Sequence, residues 1–446
     1  MKKQFSMLMV LMLCLVFFAA CGNQQNTPPQ STGPQQTAAQ EPEKVELTFW
    51  GYDGAPEYGE LFEKYIESFE SAHPGVTVNY LGLPFDDAKS KFDMSIATGT
   101  FPDVAFIGSS WTSSFAMAKG LLPLDDYYNA WKSKDNAIEQ FFNTGVLYGK
   151  RYAVPIDATL YGVWYRPDWY AEKGLTPPKT FDEFFDNIKA LNDPQNGRYG
   201  FTIRGGGGGS HQMEGFLLSY VGTTSYFDEN GKSYARDPKA LEGFKRYVGL
   251  YGNYTPTSDV NNGYRDMANV FGSGVASTMC HNISSYPMHE TNLGKGKYSM
   301  FVLPKADNGT RTVAFCGVAA TSHLVVSSTT KSADKAWAFV DHLLSDGIHS
   351  DWVKNLALFP VTQSVSKESW VNEIQSLTEV RSVLAEEDTV FLEAPFYLPD
   401  FEDIHINTLQ PGLQEVMLGK KTPEDYMNEY AAEMEQSLAN YNNLTR

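Results

Sequence analysis

The stretch GKRYAVPIDATLYGVWYRPDWYAEKGLTPPKTFDEF, residues 149–184, holds the signals that decide the fold. Its RYAVPI segment predicts a strand or an extended segment. Phe181–Leu191 predicts a helix, because Thr180 precedes it and Glu183 follows Thr180 by three residues, the spacing of a capping box. The stretch therefore joins extended chain to a capped helix, as an α/β domain does.

The chain on the N-terminal side of this stretch also alternates predicted strands with predicted helices. VELTFW (45–50), VTVNYLG (76–82) and PDVAFIG (102–108) predict strands, and the last is apolar throughout, as a strand buried in a parallel sheet is. Two amphipathic helices are predicted between them, over ELFEKYIESFESAHPG and DDAKSKFDMSIATG. Strand, helix, strand, helix, strand is the order of βαβ units.

The C-terminal part repeats the pattern with variations. The segments RYGFTI, ASTMCHN and VAATSHLVVSS predict strands. Helices are predicted over LEGFKRYVGLYGN, over SADKAWAFVDHLLS and over the terminal segment that starts at Thr422-Pro423, where proline suits the first helical position. A chain of 446 residues is too long for one compact core, so two or more domains are expected.

Composition excludes several classes of partner. The net charge of −18 disfavours DNA, RNA and anionic membrane surfaces, which require a basic footprint. The four cysteines include no CxxC pair and no two histidines have ligand spacing on one helix face, so we expect neither a metal site nor a cofactor. Cys280 and Cys316 either form a disulfide or remain buried thiols.

The N-terminal residues predict export. Lys2 and Lys3 precede an almost wholly apolar run, Phe5 to Phe18, which predicts a signal peptide over residues 1–20. Small residues before Cys21 and Gly22 after it resemble the bacterial lipobox, so Cys21 is the expected lipidation site. Phe18 departs from the usual leucine, which leaves cleavage by the ordinary signal peptidase as the alternative. Residues 21–44 are rich in Gln, Pro, Thr and Ser and predict a flexible, lipid-attached tether.

Six sequence motifs occur along nearly the whole mature chain, in the same order in which one known protein family carries them. Residues 149–184 are the strongest, and the others are FPDVAFI, KGLLPLDDYY, FGSGVASTM, LFPVTQSV and GKKTPEDYMNEYAAEMEQ. Together they resemble the extracellular solute-binding proteins of sugar importers, the group that includes maltodextrin-binding protein. Arg166-Pro167 stands where the family usually has Asn-Lys, and Phe181 stands where it has Trp.

The resemblance implies an α/β, two-lobed periplasmic-binding-protein-like fold of type II, with discontinuous domains and a hinge. Lobe 1 would comprise residues 45–157 and 318–362, and lobe 2 residues 158–317 and 363–446. It also implies a function without catalysis. The protein would capture a mono- or oligosaccharide between the lobes and deliver it to an ABC permease, as a monomer lipid-anchored on the outer face of the cell membrane.

Sugars present C–H faces that pack on aromatic rings and hydroxyls that require donors and acceptors. In open α/β sheets such ligands lie beyond the carboxyl ends of strands. The loops after the predicted strands, read with the family pattern, make Trp111 an exposed-loop stacking residue and Asp157 an acidic ligand contact. The expected ligand-binding residues are Tyr52, Asp53, Ser110, Trp111, Asp157, Tyr161, Arg204, His211, Asn282, Tyr286, Gly317, Phe396 and Tyr397.

Two points stay open at this stage. The run RGGGGGS at 204–210 is either a flexible surface loop or a place where the backbone approaches a ligand closely, and it lacks the ending of a phosphate loop. Three rival functions remain. They are a secreted glycoside hydrolase using Asp53 and Asp157, a binding protein of the same fold for a metal, polyamine or peptide, and a sensor that presents its ligand to a membrane kinase.

Replacing Cys21 with alanine tests the predicted anchor. The variant should appear in the soluble extracytoplasmic fraction and should incorporate no labelled palmitate, because the acylated thiol is gone. The wild-type chain, expressed alongside, should stay with the membrane and take up label. Equal labelling of both chains would contradict lipidation at Cys21.

Overall fold

The computed structural model describes residues 44–53, 56–315 and 320–444. These residues belong to one compact unit, Glu43–Arg446. Within these ranges no helix is both long enough and apolar enough to cross a membrane. The predicted leader and tether, Cys316 and Gly317 lie outside the described residues.

The strands are β1 Val45–Asp53, β2 Val76–Pro84, β3 Val104–Gly108, β4 Val146–Leu147, β5 Lys150–Arg151, β6 Val154–Ala158, β7 Tyr161–Tyr165, β8 Thr278–Asn282, β9 Ser299–Phe301, β10 Arg311–Phe315, β11 Thr321–Val326 and β12 Thr389–Glu393.

The α-helices are α1 Pro56–Ala72, α2 Phe85–Thr98, α3 Ser109–Met117, α4 Asp125–Ala130, α5 Glu139–Phe142, α6 Pro167–Glu172, α7 Phe181–Leu191, α8 Gly209–Val221, α9 Pro238–Val248, α10 Tyr264–Gly272, α11 Tyr286–Leu293, α12 Ala333–Leu343, α13 Asp346–Asn355, α14 Gln375–Leu384, α15 Phe401–Ile404, α16 Gln410–Met417 and α17 Pro423–Leu444. A π-helical turn, His405–Leu409, joins α15 to α16.

A five-stranded sheet has the order β2-β1-β3-β11-β6. β1 pairs in parallel with β2 and β3, whereas β11 runs antiparallel to both β3 and β6. β3, β6 and β11 are buried along their whole length, as the apolar sequence of β3 predicts for that strand. Helix α1 packs on β1, β2 and α12, and the ring of Phe62 lies 5.0 Å from that of Phe49. This sheet supplies the strand ends of the candidate site.

A second sheet has the order β8-β7-β9 and is antiparallel, and β10 pairs in parallel with β12. Helix α8 packs against β10, α9 and α16, and its residues 209–220 are all buried. A helix buried on every side must place its polar residues in the interior as well, so His211 and Glu214 have no route to solvent.

Most of the elements that the sequence predicts are present in the structure. Helix α7 begins after Thr180, whose hydroxyl accepts a hydrogen bond from the Glu183 backbone N–H at 3.1 Å. Three expectations are wrong in detail. RYGFTI makes isolated bridges instead of a strand: Arg198 pairs with Asp193, Tyr199 with Ala276 just before β8, and Thr202 with Met279 within β8. The sheet that contains PDVAFIG is mixed because β11 enters it antiparallel, and residues 109–111 form the first turn of α3 instead of a loop.

Candidate functional site

The carboxyl end of β1 places Tyr52 in a buried aromatic group. Its ring lies 4.6 Å from the ring of Phe106 and 5.8 Å from that of Trp111, and its hydroxyl is 3.0 Å from the Ser322 hydroxyl. Burial raises the pKa of Tyr52 well above its usual range, and nearby Asp157 and Tyr264 raise it further. Tyr264 belongs to α10, so Tyr52 lies where the five-stranded sheet meets the second half of the fold.

Asp157, at the end of β6, is enclosed. Its Oδ2 accepts a hydrogen bond from the Trp352 indole N–H at 2.8 Å, and its Oδ1 accepts one from the Ser322 backbone N–H at 3.3 Å. Burial raises the pKa of Asp157 to about 6 although both hydrogen bonds favour the carboxylate. The residue expected to bind ligand therefore also ties β6 to β11 and α13.

Ser110 and Trp111 lie in the first turn of α3, which follows β3. Trp111 is 2% exposed and lies 6.2 Å from Phe92 and 6.3 Å from Phe115, measured between ring centroids. The expectation of an exposed loop is therefore wrong, because helix α3 starts directly at the strand end and turns the ring into the core. Ser110 is buried too, and its hydroxyl donates to the carboxylate of Glu402.

The glycine run 204–210 is a close-packed turn. Gly208 has φ +78°, and a Cβ there would lie 2.5 Å from a guanidinium nitrogen of Arg204. A Cβ on Gly209 would lie 2.0 Å from the Arg204 carbonyl oxygen. Side chains are excluded at both positions, so this part of the run is a packed turn and not a flexible loop, and an approach of its backbone to a ligand stays a prediction. The chain's own Arg204 is the group approached, and its guanidinium carbon lies 5.6 Å from the Tyr264 ring.

Asn282 ends β8 and meets the same group. Its Oδ1 accepts a hydrogen bond from the Tyr264 hydroxyl at 3.1 Å. The ring of His281 lies 4.4 Å from that of Tyr264, and burial followed by the charge of Arg204 lowers the pKa of His281 well below its usual value. Tyr161, at the start of β7, pairs with Asn282 across the sheet and lines a small cavity beside Cys280, which is a free, buried thiol.

Three of the expected aromatic residues have other neighbours. Phe396 is 3% exposed and packs 5.6 Å from Phe401 in the core. The carbonyl oxygen of Tyr397 accepts a hydrogen bond from the Ser113 hydroxyl at 2.8 Å, so this segment touches α3. Tyr286 begins α11 and lies 5.8 Å from Tyr298.

His211 lies in a buried group of titratable residues that we call the histidine–glutamate cluster: His211, Glu214, Glu402 and His405. The two imidazole rings stack with centroids 3.7 Å apart. His211 Nε2 lies 3.2 Å from Glu402 Oε2, and His405 Nε2 lies 3.5 Å from Glu214 Oε1. Burial opposes ionisation of both carboxylates, but the two histidines hold the pKa of each below its usual value.

The structure thus brings Tyr52 and Trp111 together and places Ser322 and Asp157 beside them. Arg204 and Asn282 meet at Tyr264, and His211 meets Ser110 through Glu402. The side chain of Asp53 and all of Gly317 lie outside the described residues. The sequence analysis missed Tyr264, His281, Glu214, Glu402 and His405. For Glu214, Glu402 and His405 the sequence offers one local signal, the motifs H-x-x-E at 211–214 and E-x-x-H at 402–405.

Comparison with known proteins identifies relatives of similar length. The family model of the bacterial extracellular solute-binding protein matches residues 53–349. A protein of Brucella abortus (strain 2308), named as a binding protein, is 26% identical over 386 residues, which are 85% of this chain and 90% of the relative.

Solved structures share the fold. A solute-binding protein of an ABC transporter from Thermotoga lettingae, bound with alpha-D-tagatose, superposes with a TM-score of 0.77 at 22% identity, covering 89% of this chain and 100% of that chain. Maltose-bound MalE3 of T. maritima gives 0.75 at 22% identity, with 87% and 99% covered. The predicted α/β, two-lobed type II fold is confirmed.

Asp157→Asn should change how stability depends on pH. A carboxyl whose pKa is 3.8 when unfolded and about 6 when folded stabilises the native state below pH 3.8, and that contribution is lost as pH rises through about 6. Urea unfolding should therefore show that the free energy of unfolding of the variant rises relative to that of the wild type between pH 4 and pH 7, by about 2 kcal/mol.

The exposed Asp186 provides the control. Asp186→Asn is measured over the same pH range as the surface reference, because its side chain is 71% exposed. If the stability difference between Asp157→Asn and the wild type did not change with pH, burial of this carboxyl would not be linked to its protonation.

Proposed function

The chain belongs to the family of bacterial extracellular solute-binding proteins, and from that premise we propose that its solute is a carbohydrate captured for an ABC importer. Membership of this family indicates that the protein is located outside the cytoplasm. Among the relatives, one from Streptomyces coelicolor is named for diacetylchitobiose and one from Pyrococcus abyssi for maltotriose, and both names support a sugar here.

The observation that carries the proposal is the neighbourhood of Tyr52 and Tyr264, which lie close enough for Tyr264 to raise the pKa of Tyr52. One ends a strand of the five-stranded sheet and the other begins α10, near the end of β8. Arg204 and Asn282 surround Tyr264, so aromatic faces and polar donors and acceptors stand together. A sugar needs this combination, because its C–H faces pack on rings while its hydroxyls must be hydrogen-bonded.

Capture would use a hinge. The five-stranded sheet and the β8-β7-β9 sheet share no strand, and the chain passes between them at 158–161. This supports lobes of 45–157 with 318–362 and of 158–317 with 363–446. A ligand that touches both lobes binds the closed form best and shifts the population toward it. The closed, loaded protein would then be presented to the permease, with Cys21 holding it at the membrane.

A catalytic role has less support. The family and the relatives are binding proteins, and the Asp157 carboxylate is held by Trp352 and Ser322 instead of being aimed at a reacting atom. Incubation with labelled oligosaccharides would test this, because turnover above that of an Asp53→Asn/Asp157→Asn double variant would favour a glycoside hydrolase.

A thermal-shift screen of the chain from Gly22 onward tests the sugar directly. The panel is neutral and acidic mono- and oligosaccharides with amino acids, polyamines and peptides, in metal-free buffer containing chelator. A true ligand at a hundredfold excess over its Kd should stabilise the protein by about 2.7 kcal/mol. A shift with one sugar class supports the proposal, and a shift with a polyamine or peptide alone contradicts it.

Tyr264→Phe tests the site once that sugar is known. The variant keeps the ring and removes the hydroxyl that donates to Asn282, so calorimetric affinity should fall about 2- to 10-fold, the worth of one hydrogen bond. Tyr127→Phe is the matched control, because it removes a hydroxyl bonded to Asp334 on α12. If both variants bound the sugar with the same affinity, the sugar would bind at a site that does not include Tyr264.

A further inference from the structure

The histidine–glutamate cluster is built from two facing helical turns. His211 and Glu214 are three residues apart on α8, and Glu402 and His405 are three residues apart across the junction of α15 with the π-helical turn. Residues three apart lie on one helix face, so each turn presents one imidazole and one carboxylate to the other. Ligand atoms of His211, Glu214 and His405 all lie within 4.8 Å of one another.

Because the cluster is buried, net charge on its side chains is energetically unfavourable. The side chains of His211, Glu402, His405 and Glu214 are 2%, 5%, 1% and 0% exposed. Both carboxylates have histidine neighbours, and in the described part of the chain neither forms an ion pair with lysine or arginine. Two buried carboxylates require compensating positive charge, which comes from protons on the histidines or from a cation.

The polar atoms of the cluster are held mainly by one another. Within the described residues Glu214 Oε2 forms no hydrogen bond, while Glu402 Oε2 and His405 Nε2 contact only His211 and Glu214 of the cluster, at 3.2 and 3.5 Å. Side chains outside the cluster orient its members: the Tyr430 hydroxyl donates to Glu214 Oε1, and His405 Nδ1 lies 3.0 Å from the Ser210 hydroxyl. Partners of this kind, which orient a ligand from outside, are the usual surroundings of a metal site.

We propose that the histidine–glutamate cluster binds one divalent transition-metal ion of the Zn²⁺ type. Two neutral imidazoles and two carboxylates give a four-ligand N₂O₂ set, which suits Zn²⁺ and leaves the site neutral. Ca²⁺ and Mg²⁺ prefer oxygen ligands and fit less well. The rings now stack at 17°, so one imidazole must rotate for both lone pairs to converge.

The ion would join parts of the fold that the sugar site also uses. Glu402 accepts a hydrogen bond from Ser110 on α3, while α8 packs against β10. A metal held by α8 and by residues 402–405 would therefore fix the position of α3, beside Trp111. The ion is bound in the folded state only, so it would stabilise that state by mass action.

Zinc binding is measured on the chain from Gly22 onward, prepared without a polyhistidine tag. Because the cluster is buried, Zn²⁺ is supplied both to the native protein and during refolding from guanidinium, and bound metal is counted after gel filtration. We expect one Zn²⁺ per chain, not displaced by a tenfold excess of Ca²⁺ or Mg²⁺. His405→Ala and Glu214→Gln should each weaken binding at least about a hundredfold, since even loss of an outer partner costs about 10- to 100-fold.

His289→Gln is the matched control, because His289 is equally buried but lies next to Ser285, outside the cluster. It should retain the metal, and circular dichroism checks that all variants fold. Chains that retain no Zn²⁺ by either route would overturn the proposal, and so would binding that survives in His405→Ala and Glu214→Gln. The sugar screen is run with chelator, so either proposal can fail without the other.

Discussion

The Asp157 carboxylate is buried between the Trp352 indole and the Ser322 backbone, at the point where the chain leaves the five-stranded sheet. It joins β6 to β11 at the place where the register of that pair shifts, between Ser322 and His323. Ser322 also bonds the Tyr52 hydroxyl, so the ends of β1, β6 and β11 are fixed by one polar network. The position of Tyr52, and with it the near side of the proposed sugar site, depends on this network.

The far side is fixed by packing of a different kind. The glycines at 208 and 209 leave room for Arg204 to fold back on its own loop, which places its guanidinium beside Tyr264. Tyr264 in turn bonds Asn282 at the end of β8. Aromatic and polar groups are thus preorganised on both sides, which lowers the ordering cost of binding a polyhydroxylated ligand.

The histidine–glutamate cluster shows how a buried helix concentrates polar chemistry. Helix α8 is enclosed on every side, so its His211 and Glu214 can only be satisfied by another element. The turn that bears Glu402 and His405 supplies an equivalent pair, and Ser110 reaches the same cluster from α3. The proposed sugar site and the histidine–glutamate cluster therefore both contact α3, so a change in one would affect the other.

The sequence by itself determined the family and those elements that have local causes. The capping box at Thr180 starts α7, an apolar run makes β3, and ordered motifs reveal the resemblance. Tertiary structure alone decided the direction of β11, the burial of Trp111 and the meeting of His211 with His405. These depend on contacts between residues far apart in the chain, and side-chain spacing within one element holds no information about which other element will pack against it.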